Sequence, residues 1–365
     1  MTHSVGANQE EGPPAPRDAS AAVTKAGWVG VVVNRSSGKG SGPRLVERLA
    51  DALGDYQLGA KIAWTPAERK AMVARADGDP SCRCLVVVGG DGTVSALVNE
   101  KLSVPLTVLR AGTENLAAQH FELRGNPRWL AHTIATGKAV PVDLGRANGR
   151  RFILMTGFGF DGDVVTRHHD MRTSRTGAIR TTHRAAYVEP ILRSSLSYRF
   201  PEITARIEDP GAEETLVGTT VFVFNLPRYA LGLPFAPDAS QDDGFLDLVV
   251  FRDPGPLQAL YYLWKVVIGT HLDHPGVYHR RVRRVNLTAS GTVPVQLDGD
   301  PAGYLLPVAV ANSAVPSHST SGLTAATTRD HWTIEAVPGA VQVLVAETPA
   351  SGVNGVALAS ERGFR

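Results

Sequence analysis

The stretch Leu85-Val86-Val87-Val88-Gly89-Gly90-Asp91-Gly92-Thr93-Val94-Ser95-Ala96-Leu97-Val98-Asn99 decides how the rest of the chain is read. Four apolar, mostly β-branched residues bounded by glycine predict a short strand buried on both faces. Three glycines then bracket one carboxylate, and Thr93 opens a segment whose apolar Val94, Leu97 and Val98 recur at helical spacing. Strand, glycine turn and helix in this order bring backbone N–H groups and a helix N-terminus to bear on phosphate. A Cβ in such a turn would block both left-handed dihedrals and the close approach of a phosphate oxygen. A carboxylate at the tip would repel phosphate directly, so Asp91 is read as meeting it through Mg2+ or acting on an attacking hydroxyl.

Upstream, residues 28–34 predict a first strand that runs into Arg35-Ser36-Ser37-Gly38-Lys39-Gly40-Ser41-Gly42. This loop fits neither a Walker A sequence, which would need glycine where Val33 stands, nor a dinucleotide G-x-G-x-x-G, since Arg44 and Leu45 follow Gly42. Its serines and backbone amides could still line a nucleotide. A second strand over 58–64 ends at Thr65-Pro66, where Thr65 is a candidate N-cap and ligand contact for a helix over 67–75. Downstream, 106–109 followed by Arg110-Ala111-Gly112-Thr113-Glu114-Asn115 repeats the strand–glycine–threonine–helix junction. Alternating strands and helices of this length predict a parallel sheet covered on both faces, with ligands at the carboxyl ends of the strands.

From about residue 140 the texture changes. Residues 142–155 predict a β-hairpin on Asn148-Gly149, and further strands are expected at 219–225, 245–251, 281–289 and 293–297. The second half is therefore expected to be mostly antiparallel. Residues 156–163 form another glycine turn, opening a region over 167–199 with seven Arg and three His against Asp170 and Glu189. That region reads either as a site for anionic headgroups or phosphates, or as a solvated helix face. The apolar run 257–268 around Lys265 reads as core or as a lipid-facing helix.

Composition bounds the function. With 365 residues, 43% hydrophobic and 20% charged, the chain has room for two cores, and a net charge of +2 gives no case for a nucleic-acid partner. Residues 1–25 are polar, without the apolar core of a signal peptide, and read as a disordered tail. No run approaches the length of a membrane span. Cys82 and Cys84 have no zinc-type partners and read as buried, unbridged thiols of a reducing compartment.

Together the motifs resemble the diacylglycerol kinase catalytic family, which includes the soluble bacterial lipid kinases and is related to sphingosine kinases. The resemblance rests on 34–38, 89–99, Gly112-Thr113, 157–161, Ala236-Pro237-Asp238-Ala239, Asp242-Asp243-Gly244-Phe245-Leu246-Asp247 and Leu297-Asp298-Gly299-Asp300-Pro301. It implies a phosphofructokinase- and NAD-kinase-like α/β domain over 26–138 and a β-rich lipid-substrate domain over 139–305. A return segment over 306–347 with an inserted loop at about 312–329, and a tail over 348–365, complete the expected organisation. ATP would be held by Asn34, Arg35, Ser36, Ser37, Gly38, Thr65, Gly89, Gly90, Asp91, Gly92, Thr93, Val94, Ser95, Gly112 and Thr113. A structural Mg2+ would be held by Ser240, Asp243 and Phe245, and proton transfer would fall to Asp300, with Asp91 and Asp298 sharing the task. The resemblance further implies a cytoplasmic protein with a lipid substrate, transient contact with the inner membrane face, and compatibility with a homodimer. Three positions depart from the family pattern: Asp300 for the usual Glu, Arg35 for a proline, and Leu116 for an Asp. A soluble-substrate kinase of the NAD-kinase type, or a nucleotide-binding regulatory protein with impaired catalysis, are the alternatives.

Overall fold

The computed structural model describes residues 27–34, 42–173, 188–209, 212–307 and 328–347. Arg35, Ser36, Ser37 and Gly38, both tails, most of the 312–329 insertion and the middle of the Arg-rich region lie outside the described residues.

The first half alternates strand and helix: β1 (Gly27–Val33), α1 (Gly42–Gly54), β2 (Leu58–Ala63), α2 (Pro66–Asp77), β3 (Cys82–Gly89), α3 (Asp91–Val98), β4 (Leu106–Arg110), α4 (Leu116–His120) and α5 (Pro127–Thr136). β2, β1, β3 and β4 lie side by side and parallel, in that order. Their side chains are apolar on both faces because helices cover both. Val29, Val31, Leu49, Leu53, Val86 and Ile134 fill one side. Val32, Met72, Val87, Val94 and Leu97 fill the other. A register shift at Trp28/Val29 opposite Cys82 and Cys84 sends the two thiols into different cores, and both are buried and unbridged.

The second half contains β5 (Lys138–Ala147), β6 (Arg150–Phe152), β7 (Met155–Phe158), α6 (Phe160–Thr173), α7 (Val188–Ser197), β8 (Ile203–Asp209), β9 (Ala212–Gly218), β10 (Thr220–Phe224), β11 (Arg228–Tyr229), β12 (Leu233–Pro234), β13 (Leu246–Phe251), α8 (Pro256–Val267), β14 (Val277–Val282), β15 (Arg284–Ala289), β16 (Val293–Leu297), β17 (Asp300–Leu305), β18 (Thr328–Arg329) and β19 (Trp332–Val345). Among the described residues one sheet of seven strands runs β14-β13-β10-β7-β16-β17-β18 and is antiparallel except at its β17–β18 edge. It packs on β8, β15 and β19, enclosing Phe158, Val221, Leu248, Val285, Val295 and Ile334. The expected classes, a parallel α/β first half and a mostly antiparallel second half, are both present. β19 joins them. Its early residues pair with β15, it pairs with β5 from Ile334 to Val345, and Val343 pairs in parallel with Leu106 of β4.

Two strand expectations need correction. The segment 281–289 is not one strand: it breaks at Arg283, with β14 in one sheet and β15 in the other. At that corner the Asp209 carboxylate accepts from the backbone N–H groups of Arg283 and Arg284, a bend of the kind by which strands change sheets. Likewise the hairpin on Asn148-Gly149 (φ 47° and 88°) ends at Phe152, and Met155 begins β7 in the second sheet.

Candidate active site

Three turns meet at the carboxyl ends of β1, β3 and β4, where a doubly covered parallel sheet leaves its crevice. Asn34, just past β1, donates from Nδ2 to Thr93 Oγ1 at 3.3 Å. The turns after β3 and β4 pack glycine against glycine: a Cβ on Gly90 would stand 3.0 Å from the Gly112 Cα, and one on Gly112 would come closer still to the Gly90 Cα. Asn115, in the left-handed region at φ 54°, clasps Gly112 from both sides. Its Oδ1 accepts from Gly112 N and its Nδ2 donates to Gly112 O, each at 2.8 Å. Only glycine at both 90 and 112 lets these two loops touch.

Asp91 does not point its charge at an open ligand position. Its Oδ2 accepts from Leu116 N and its Oδ1 from Ala117 N, both at 3.0 Å, so the carboxylate caps α4. Burial pushes its pKa up, and these backbone hydrogen bonds oppose the shift. Beside the role expected of Asp91, orienting a metal or hydroxyl, the structure shows this carboxylate fixing one glycine loop against the other.

The acids of the second half arrive on the β16–β17 hairpin. Asp298 and Gly299 occupy its two turn positions with φ 51° and 84°, the left-handed pair that suits a two-residue hairpin. Asp298 turns inward: Oδ2 accepts from Ile153 N at 3.0 Å, and Oδ1 from Leu154 N at 2.8 Å and Met155 N at 3.2 Å. Burial raises its pKa to about 6 despite these bonds. Asp300, opening β17, is half-buried and reaches the first half of the chain: a Cβ placed on Gly92 would lie 3.5 Å from its Oδ2. Asp161, which the sequence offers only as the end of the 157–161 glycine turn, is a further acid of the site. It sits in the first turn of α6, accepts from Gln296 Nε2 at 2.8 Å and Tyr229 OH at 3.3 Å, and is raised by burial to about 6. Its polar neighbours come from strands far away in sequence, so spacing held no signal for it.

All of this opens into one cavity of about 640 Å3. At one end it is lined by Asn34, Gly90, Asp91, Gly92, Thr93, Gly112 and Thr113. The other end is apolar, walled by Phe160, Val164 and Val165 of α6, Phe222 of β10, and Leu263 and Val266 of α8. Asp161, Asp298 and Asp300 line it as well. Four expected nucleotide positions are not part of the cavity lining. Gly89 backs onto Thr93, Val94 is core, and Ser95 is buried beside Asp298. Thr65 forms a capping box with Glu68 at the start of α2.

The aspartate loop lies outside the cavity lining, and the carboxylate expected to hold a cation there already has protein partners. Asp243 Oδ1 accepts from Phe245 N at 2.9 Å, and Oδ2 is held by Arg281 at 2.5 Å. The guanidinium groups of Arg281 and Arg283 stand 4.6 and 4.7 Å from the centre of the Phe245 ring. Ser240 Oγ donates to Asp242. One cationic side chain, Arg281, already pairs with the Asp243 carboxylate, and among the described residues no group of three His, Cys, Asp or Glu could hold a metal ion. Of the residues expected at Mg2+, Asp243 is thus held by Arg281, while Ser240 and Phe245 would offer backbone carbonyls. Asp143 accepts from Gly244 N and Gly339 N, which ties the loop to β19.

Residues 29–147 match the diacylglycerol kinase catalytic domain, and residues 156–345 match the YegS C-terminal NAD kinase beta sandwich-like domain. The chain belongs to the diacylglycerol kinase catalytic family, a family of lipid kinases. Among its relatives, the diacylglycerol kinase of Mycobacterium tuberculosis (strain ATCC 25618 / H37Rv) is 29% identical over 242 residues, 64% of this chain and 74% of that one. The diacylglycerol kinase of Staphylococcus carnosus (strain TM300) is 25% identical over 227 residues, 60% of this chain and 71% of that one. A crystal structure of a diacylglycerol kinase from Bacillus anthracis str. Sterne shares the fold, with a TM-score of 0.60 at 18% identity over 90% of this chain and 99% of the other. Among the described residues no helix is long and apolar enough to cross a membrane.

Proposed function

We propose that this chain transfers the γ-phosphoryl group of ATP to the hydroxyl of diacylglycerol or a lipid alcohol of similar shape. The observation that carries the reading is one cavity lined by glycine turns and by apolar side chains, with Asp300 on its wall beside Gly92. In this reading the glycine turn Gly90–Gly92, with Thr113 of the facing turn, receives the triphosphate, whose magnesium enters with it as part of the substrate. Asp300 Oδ2, beside Gly92, accepts the proton of the attacking lipid hydroxyl. Asp91 and Asp298 hold the loops still, and such positioning supplies much of the rate in phosphoryl transfer. Asp161, at the apolar end, is placed to accept from a headgroup hydroxyl. The apolar pocket favours a lipid over NAD, whose ribose and pyrophosphate would leave aromatic walls unmatched. The enzyme would work on the cytoplasmic side, where ATP is available, at the inner membrane face.

The test is an assay with labelled ATP against diacylglycerol, phosphatidylglycerol, a sphingoid base and NAD, resolved by thin-layer chromatography. Label in a lipid, abolished by Asp300→Asn, is the expected result. Label in NAD alone would overturn the reading.

A further inference from the structure

Helix α8 is apolar all round, and its solvent side is the unusual one. Leu257, Leu260, Tyr261, Trp264, Val267 and Ile268 recur at three- and four-residue intervals and form one exposed stripe; Leu257 is 82%, Trp264 54% and Val267 57% exposed. The opposite side is buried, with Val266 in the core and Tyr262 packed on Phe251 and donating to Asp253 at 2.5 Å. Folding has therefore satisfied one face of the helix and left the other in water.

Continuity with the cavity identifies what covers it. Leu260 and Val267 belong to the stripe and also line the cavity, so the exposed face runs without a polar break into the apolar end of the site. Leu231, half-exposed in the loop between β11 and β12, lies on the same cavity wall. The helix has no acidic residue and one cation, Lys265, which suits a zwitterionic or anionic headgroup layer. Trp264 and Tyr261 add rings of the type that settle at a membrane–water boundary. A second copy of this chain would gain the same apolar contact but would seal the entrance by which a lipid must arrive.

Resting on the lipid-kinase reading, we propose that the outer face of α8 is the surface that docks on a phospholipid bilayer. The substrate then passes between Leu260 and Val267 on one side and Leu231 on the other, without crossing water. Leu257 and Trp264 stand on the stripe but not on the cavity wall, so they can be changed without altering the site.

The experiment uses the full chain in flotation with phosphatidylcholine vesicles, with and without phosphatidylglycerol. Leu257→Asn with Trp264→Ser is expected to weaken vesicle binding at least tenfold while turnover of a short-chain, water-soluble diacylglycerol stays within about twofold. Wild-type protein is expected to show a blue shift of tryptophan emission on binding, and Trp264→Phe, which keeps the helix packed, should still bind vesicles but lose that shift. Equal binding by wild type and the double variant, no binding by wild type, or a wild-type dimer that the variant turns into a monomer with vesicle binding unchanged would each overturn the proposal. Vesicle binding is read without catalysis, so loss of the kinase reading and loss of the docking surface are told apart.

Discussion

Replacing Asp298 by Asn separates the cost of a lost hydrogen bond from the cost of a buried charge. The Asp298 carboxylate accepts three backbone N–H groups, and burial still lifts its pKa from 3.8 to about 6. Because the folded value lies above the unfolded one, its contribution to stability is full below about pH 3.8 and is lost as the pH rises through about 6. At 1.36 kcal/mol per pH unit the whole effect is about 3 kcal/mol, of which about 2 kcal/mol falls between pH 4.5 and pH 8. Asn tolerates the left-handed backbone at this position and keeps one oxygen. It turns an NH2 toward the N–H of one partner, which costs about 1–3 kcal/mol at any pH. The variant is therefore less stable than wild type at pH 4.5, and the gap narrows by about 2 kcal/mol, closing or nearly closing, by pH 8. Urea unfolding of both proteins across that range measures the gap directly, and other titrating groups cancel in the difference. A gap that stays constant, or widens toward pH 8, would refute the account of Asp298 as a buried acid whose ionised form is disfavoured.

Asp300→Asn should lower kcat by about 10²–10⁴-fold with the thermal midpoint unchanged, while Asp300→Glu stays within about tenfold of wild type; steady-state phosphate transfer to diacylglycerol checks both. Gly112→Ala pushes a Cβ into the Gly90 backbone, so it should cost about 1–3 kcal/mol in urea unfolding and raise the KM for ATP. Glu114 accepts from Leu231 N with both oxygens across the mouth of the cavity and holds a loop in which Ala230 and Leu231 have φ of 35° and 63°. Glu114→Ala should therefore raise the KM for lipid and leave kcat at saturating lipid within about twofold, as kinetics on mixed micelles would show. EDTA should leave the melting temperature of the nucleotide-free protein where it is, and Arg281→Gln should lower it; a drop with EDTA in wild type would return the aspartate loop to a metal.

What the sequence made legible is local. Gly90 and Gly112 stand in strand–glycine–threonine–helix junctions whose reading needs no distant residue, and the parallel sheet follows from repeating that unit. The pairing of Arg281 with Asp243, 38 positions apart, depends on which strand lies beside which. Spacing could not reveal it, and family likeness pointed instead to a cation. The break at Arg283 was hidden for a similar reason, since an alternating strand reads the same whether or not it changes sheets halfway. The stripe on α8 shows the limit of periodicity: helical spacing says that one face is apolar but not whether protein covers it. The carboxylates carry the sharpest lesson. Asp91, Asp298 and Asp300 all flank glycine turns, and nothing in their neighbours separates them. What separates them is the supply of unpaired backbone N–H groups within reach. α4 leaves two at its N-terminus, and the turn from β6 into β7 leaves three, so Asp91 and Asp298 are drawn inward and spent on architecture. Asp300 opens a strand on the cavity wall, with its Oδ2 beside Gly92, and that position is why the proposed function gives it the incoming hydroxyl.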